Sequence, residues 1–453
     1  MQFKIQNSKF KISALARKPV VADLAVTFGG RVLQMALALL GNIISARALG
    51  PEDFGRFGLV IATVSICGTM ADAGLTYSAV KSIAQYTARS SPRAYAIGST
   101  YLLMRVLSGA VVAMLGIALS EPLARLALGY GELTPYLQLS FVTLLGLSIS
   151  SYPGTILVGL ARFGRLGLAG VLNAAITLAG IILLLVSGEL NLGTLIAWNV
   201  VLPIVSTIPA WLLLPGDWLP WRIIRRGEAS KPERGVAREM VGFGGWIAFS
   251  NLGSIIVAQG DLLLLGRLAS PAVVGVYSVA LTLAMRLDVL NQSLFTVMMP
   301  RASRLRGAGE IRTYSRRVLA GSLLLALLLG VVALAAQPLI ALLYGERYTA
   351  SAGLFLALMV VVLFDLATSS LFLVAFPLNK PRVLALADWL RVGVMGVAGW
   401  LLIPVFAAFG AVAARFLARV VGTIGALVAL RRAALSTVEG PEPDREVAVE
   451  WPL

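Results

Sequence analysis

The sequence predicts an all-α polytopic membrane protein with about twelve transmembrane helices in two six-helix lobes around a central cavity. Three observations predict it. Apolar residues fill 58% of the 453 positions and charged residues only 13%. Apolar stretches of about twenty residues, the length that crosses a bilayer, recur almost from end to end. One loop motif also occurs twice, at the same place in each half of the chain.

The apolar runs place spans at roughly 24–46, 57–79, 96–118, 135–160, 166–187, 192–214, 241–266, 272–298, 318–338, 352–377, 383–405 and 408–430. With both termini cytoplasmic, inner segments hold 27 of the 38 Lys and Arg, six lie within spans, and outer loops hold five: Arg47, Arg56, Arg125, Arg267 and Arg347. One orientation therefore satisfies the positive-inside rule, and the net charge of +16 reflects topology rather than a nucleic-acid surface. Attraction to anionic inner-leaflet lipids follows from the same charges.

Residues 1–23 read as a cytoplasmic basic arm, 24–214 as the N-lobe and 215–240 as a cytoplasmic linker between lobes. Residues 241–430 read as the C-lobe. The acid- and proline-bearing 431–453 read as a disordered cytoplasmic tail.

The repeat supports this division. NIISARALGPEDFGRFGLV (42–60) aligns with the stretch around DLLLLGRLASPAVVGVYS at an offset of 220, placing Arg47 on Arg267, Pro51 on Pro271, Gly55 on Gly275 and Phe57 on Tyr277. Each copy joins the first two spans of a six-span set, and FGG opens both sets at Phe28 and Phe243. Six spans return the chain to the side where it began, so the halves run parallel, with a cavity expected between them.

The blocks ARALGPEDFGRFGLVIATVSICGTMADAGL, DLLLLGRLASPAVVGVYSVALTLA and VMMPRASRL (297–305) resemble the polysaccharide transporter family, which includes O-antigen-type flippases of lipid-linked oligosaccharides. The resemblance runs from about residue 20 to 430. The wider multidrug/oligosaccharidyl-lipid/polysaccharide exporter superfamily also holds lipid II flippases and multidrug exporters, which stand as alternatives. The resemblance implies alternating access that moves an undecaprenyl-pyrophosphate-linked oligosaccharide across the bacterial inner membrane, with cation or proton coupling open. GGRVL and MRLDVL resemble segments of lipid II flippases whose arginines line the cavity, which implies that role for Arg31 and Arg286.

The charged residues at membrane depth can also be weighed one by one, since such groups face protein or water. Arg31 and Asp72 each lie about 10 Å deep on adjacent spans and can pair, either structurally or around substrate or coupling. Arg286, near the middle of the eighth span with Asp365 and Asp288 as candidate counter-ions, is the foremost cavity residue, because a guanidinium grips a phosphate with two parallel hydrogen bonds. Arg415 and Arg419 share a face of the last span, leaving cavity lining and structural pairing open. Arg391 and Asp388 read as a local pair, and Arg105 has no partner legible in the sequence. Asp261, just before four leucines, needs a partner distant in sequence. Its block implies either a lobe-closing hydrogen bond or a cation or proton site. The expected substrate-binding set is thus Arg31, Arg286, Arg415 and Arg419, and the coupling or lobe-closing set is Asp72, Asp261 and Asp365.

The lone Cys67 and the absence of histidine exclude a disulfide framework, a thiolate metal site and the commonest general base. No metal or cofactor is expected. Short, histidine-free outer loops argue against a membrane glycan ligase or polymerase, so no enzyme is expected. The excess of intramembrane arginine favours an anionic substrate over the organic cations of drug exporters. Expected partners are the lipid-linked glycan, membrane lipids and glycan-assembly enzymes, with no nucleic acid.

Overall fold

The computed structural model describes residues 19–88, 93–225, 234–302, 335–373 and 381–438, with isolated positions between 320 and 335. The expected basic arm before residue 19, the tail beyond 438, most of the ninth span and the Asp288 side chain lie outside the described residues.

The described chain is helical. α1 (Pro19–Asp72) is two helices joined end to end at Gly50, whose φ of 73° lies in the left-handed region that glycine occupies without a Cβ clash. Pro51 then opens the second helix, where a missing N–H costs nothing. α2 (Leu75–Ala88) follows a turn at Ala73 and Gly74. That turn ends the second span seven residues before its expected limit of 79, because two successive positive-φ residues cannot continue a helix.

α3 (Arg93–Ala118), α4 (Thr134–Gly159), α5 (Phe163–Val186) and α6 (Leu192–Val205) complete the first half. α6 starts on a capping box: Asn191 Oδ1 accepts from the Thr194 amide at 3.0 Å, and the Thr194 hydroxyl accepts from the Asn191 amide at 3.0 Å. α7 (Arg234–Leu268), α8 (Pro271–Ala302), α9 (Ala336–Tyr344), α10 (Ser351–Leu373) and α11 (Pro381–Val438) form the second half. α11 is again two helices, broken at Ala407.

Eight helices among the described residues are long and apolar enough to cross a membrane. The two broken ones, over Gly29–Asp72 and Leu386–Val428, have 44 and 43 residues, enough for two crossings each at about 30 Å per twenty residues. Leu183, Val186 and Leu212 project from these helices largely exposed, as suits contact with lipid.

The repeat reappears in the packing. α1 lies along α5 and α7 along α11, equivalent partners six spans apart, while α8 and α7 both lie along α1 and join the halves. At the Pro51/Pro271 end the contact is reciprocal. A methyl at Gly55 would overlap the Pro271 carbonyl oxygen, and one at Gly275 would overlap the Pro51 carbonyl oxygen. At the opposite end a methyl at Gly74 would overlap the Gly244 carbonyl. A core cluster containing Ile43, Phe54, Leu262, Val274, Tyr277 and Leu358 spans both halves near the first crossing. A second, around Ile83, Tyr101, Tyr152 and Trp218, lies mostly in the first half and takes in Met240 of α7.

Candidate functional site

A cavity of about 970 Å³ lies between the second helix of α1, α3, α4, α6 and the middle of α7. Its wall mixes apolar side chains with Ser140, Thr143, Asn199 and Asn251. Two opposite charges sit in it, Asp72 and Arg105. Arg105 is only 8% exposed, yet its Nε and Nη1 have no hydrogen-bond partner among the described residues. Its nearest carboxylate oxygen, Asp72 Oδ1, is 3.3 Å from Nε.

Asp72 accepts instead from the Thr76 hydroxyl, one turn further on. That hydroxyl lies 3.0 Å from the Tyr101 hydroxyl, which donates to Ser151 Oγ at 3.0 Å and accepts from Thr155 Oγ1 at 3.0 Å. A chain of hydroxyls thus runs from the carboxylate across α2, α3 and α4. Ser108 Oγ donates to the Ala71 carbonyl at 2.7 Å and pins α3 beside the end of α1.

Arg31 lies elsewhere and does not form the expected pair with Asp72. It lines a smaller pocket of about 370 Å³ between α1, α4, α5 and the end of α6, with Gln34, Ser150, Asn173, Ser206 and Thr207 and no carboxylate among the described lining residues. Asn173 Nδ2 donates to Ser206 Oγ at 3.0 Å. Ser150 borders both cavities.

The second half holds the tightest charge pair among the described residues. Arg415 Nε donates to Asp261 Oδ2 at 2.5 Å and Nη2 to Oδ1 at 2.8 Å, while Tyr277 also donates to the carboxylate. Arg415 Nη2 donates further to the Ala258 carbonyl at 2.8 Å. Asp261 is 0% and Arg415 1% exposed, so Arg415, expected on the cavity wall, presents no surface to it. The partner of Asp261 is distant in sequence, as its leucine-flanked position demands.

Asp365, one of two candidate counter-ions of Arg286 in the sequence, pairs with Arg419 Nε at 3.4 Å. Arg391 donates to Asp388 at 3.0 Å, the local pair read from the sequence. Arg286 stands near Tyr344: burial raises that phenol's pKa, and the charge of Arg286 pulls it back. The four expected arginines are therefore not gathered in one cavity.

Sequence reasoning left Arg105 without a partner and missed the hydroxyl network altogether. The signal was present in Ser148, Ser151 and Thr155, which repeat at three and four residues and so share one face of α4. It also missed a second repeat, YGE at 130–132 and 344–346. Each copy reaches across to the other half: Tyr130 donates to the Ala269 carbonyl at 2.6 Å and Tyr344 to Asn42 Oδ1 at 3.0 Å. Tyr348 adds a bond to the Ala46 carbonyl at 2.8 Å, and these contacts close the Pro51/Pro271 end.

Among solved structures, an inward-facing multidrug resistance MATE family transporter of the MOP superfamily matches with a TM-score of 0.69 and 18% identity, over 90% of this chain and 96% of that one. The lipid II flippase MurJ, in an inward closed conformation, matches with a TM-score of 0.66 and 12% identity, over 92% of this chain and 91% of its own. This likeness shows the fold, which is the two-lobed, all-α polytopic membrane architecture expected from the sequence. In sequence, a putative O-antigen transporter of Shigella flexneri is 24% identical over 320 residues, 69% of this chain and 73% of the relative. The profile of the polysaccharide biosynthesis protein family matches residues 20–306, more than half of the chain, and the chain belongs to that family.

Proposed function

We propose that this protein is a flippase that carries a lipid-linked oligosaccharide, joined to its polyprenyl carrier through a diphosphate, across the bacterial inner membrane by alternating access. The observation that carries the reading is Arg105: a guanidinium almost wholly buried, with two nitrogens lacking hydrogen-bond partners among the described residues, on the wall of a cavity of about 970 Å³. Leaving such donors unmet is unfavourable, and a phosphate supplies the paired acceptor oxygens that a guanidinium fork fits. The family and the 24% identical putative O-antigen transporter support a glycan substrate.

In this reading both termini are cytoplasmic, 24–214 and 241–430 are the moving lobes, and the reciprocal Gly55/Gly275 crossing is the closed periplasmic end. Arg31, in its pocket beside Ser150, and Arg286 are further phosphate contacts along the route. Asp72 is the coupling acid, whereas Asp261 and Asp365, held by Arg415 and Arg419, fix the second lobe. Enzymes that assemble the glycan supply the substrate. The test is flipping of a lipid-linked oligosaccharide by purified protein in liposomes. Arg105→Ala should reduce the rate at least tenfold with the protein still folded, and an undiminished rate removes Arg105 from the site.

A further inference from the structure

Asp72 and Arg105 form a loose pair, in contrast to the tight one in the second half. Arg415 and Asp261 meet through two hydrogen bonds of 2.5 and 2.8 Å. Arg105 approaches Asp72 only at 3.3 Å, without hydrogen-bond geometry, and its Nη1 is equally unmet among the described residues. A buried guanidinium in that condition is set to accept a better anion.

The phosphate that would satisfy it has an obstacle, because the Asp72 carboxylate carries the same sign of charge at the same place. A proton on Asp72 removes that repulsion. The surroundings suit both protonation states: the Thr76 hydroxyl that now donates to Asp72 can rotate and accept from a carboxyl O–H, and the Tyr101 hydroxyl behind it also donates or accepts. Apart from Arg105, the described residues lining the cavity around Asp72 are neutral, with Tyr77 from α2, Ser151 from α4, and Asn251 and Ser254 from α7. The carboxylate of Asp388, which accepts from Ser254 at 2.9 Å, is held by Arg391.

We propose that the Asp72 carboxylate and the substrate's phosphate take turns on the Arg105 guanidinium, so that binding the anion places one proton on Asp72. The proton is drawn from the acid form of the surrounding buffer and returns to solution when the anion departs and the carboxylate reclaims Arg105. This rests on the reading of the cavity as the site of a lipid-linked phosphate, and it adds the link between that site and the proton.

The test is calorimetric titration of the purified full chain in detergent with farnesyl-diphospho-N-acetylglucosamine, in buffers of different ionisation enthalpy. Each phosphate of this probe carries one organic substituent and the bridging oxygen, so it stays singly ionised and lacks the second ionisation near about pH 6, and any proton taken up goes to the protein. The wild type should take up about one proton per probe bound, and where it does so its affinity should fall about tenfold for each unit rise in pH. Asp72→Asn should bind with pH-independent affinity and no proton uptake, and Arg105→Gln should lose binding.

Wild-type binding without proton uptake, or uptake retained in Asp72→Asn, overturns the exchange and leaves the flippase reading standing when Arg105→Gln still loses binding. No wild-type binding overturns both. The wild-type proton count stands alone should Asp72→Asn fail to fold.

Discussion

Arg415 holds both oxygens of the Asp261 carboxylate although 154 positions separate them, and with Tyr277 the pair ties α7, α8 and α11 together beyond the reach of solvent. Removing one member of such a pair strands a charge in an apolar core. Asp261→Ala should therefore lower stability by about 3–5 kcal/mol, whereas the double change Asp261→Leu with Arg415→Met should recover most of it, because no buried charge is left unmet. Thermal unfolding in detergent measures both. A double variant no more stable than Asp261→Ala would mean that the pair does more than neutralise itself. Asp261→Asn should lose stability yet keep the wild-type response of transport to a proton gradient, since the carboxylate is committed to Arg415.

Arg286 is separated from the Asp72–Arg105 cavity wall and lies near Tyr344 at the closed end. Its proposed role as a phosphate contact along the route means that it should matter for transport more than for capture. Arg286→Ala should cut glycan export at least tenfold at normal abundance, while Arg286→Lys restores part of it because an ammonium lacks the two-pronged grip. Export in a strain deleted for the endogenous protein reads both, and full export by Arg286→Ala would take Arg286 off the route.

Much of this architecture was legible because it rests on composition and periodicity. Apolar length sets the spans, and the offset-220 repeat sets the halves. The repeat even marked the crossing itself, since Pro51, Pro271, Gly55 and Gly275 are the residues whose backbones meet. The pairing of charges was less legible. Depth along a helix can be counted at about 1.5 Å per residue, but azimuth cannot, so Arg31 and Asp72 share a depth while facing different cavities. The same ambiguity hid Arg419 as the partner of Asp365 and Arg105 as the partner of Asp72. Hydroxyl networks are harder still, because serine and threonine in an apolar helix satisfy their own backbone as readily as a neighbour, as Ser148 does with Leu144 at 2.7 Å.

The basic asymmetry of 27 inner to five outer residues predicts that both termini lie in the cytoplasm. A fluorescent reporter that matures only in the cytoplasm should be bright when fused after Leu453, and a periplasmic alkaline phosphatase fused there should be inactive. The reverse pattern would invert the whole assignment, including the naming of the Pro51/Pro271 end as periplasmic.

The reciprocal crossing gives the sharpest conformational prediction. Gly55 meets the Pro271 carbonyl and Gly275 the Pro51 carbonyl with no room for a methyl, and the Tyr130, Tyr344 and Tyr348 hydroxyls hold the same end. Alanine at either glycine must push the two helix starts apart, which raises the energy of the state closed at this end and leaves the state open at this end unaffected. The population should shift toward the open state by the difference, which at about 1.4 kcal/mol is already tenfold. Both positions should act alike because the contact is symmetric. The measurement is thiol labelling from the periplasm of cysteines placed at Asn42 or Ala46, which the closed end covers, in a background with Cys67→Ala. Gly55→Ala and Gly275→Ala should each speed labelling about tenfold or more at unchanged protein abundance. Unchanged labelling in both would mean that the crossing is not the barrier at this end of the cavity, leaving the tyrosine contacts to close it.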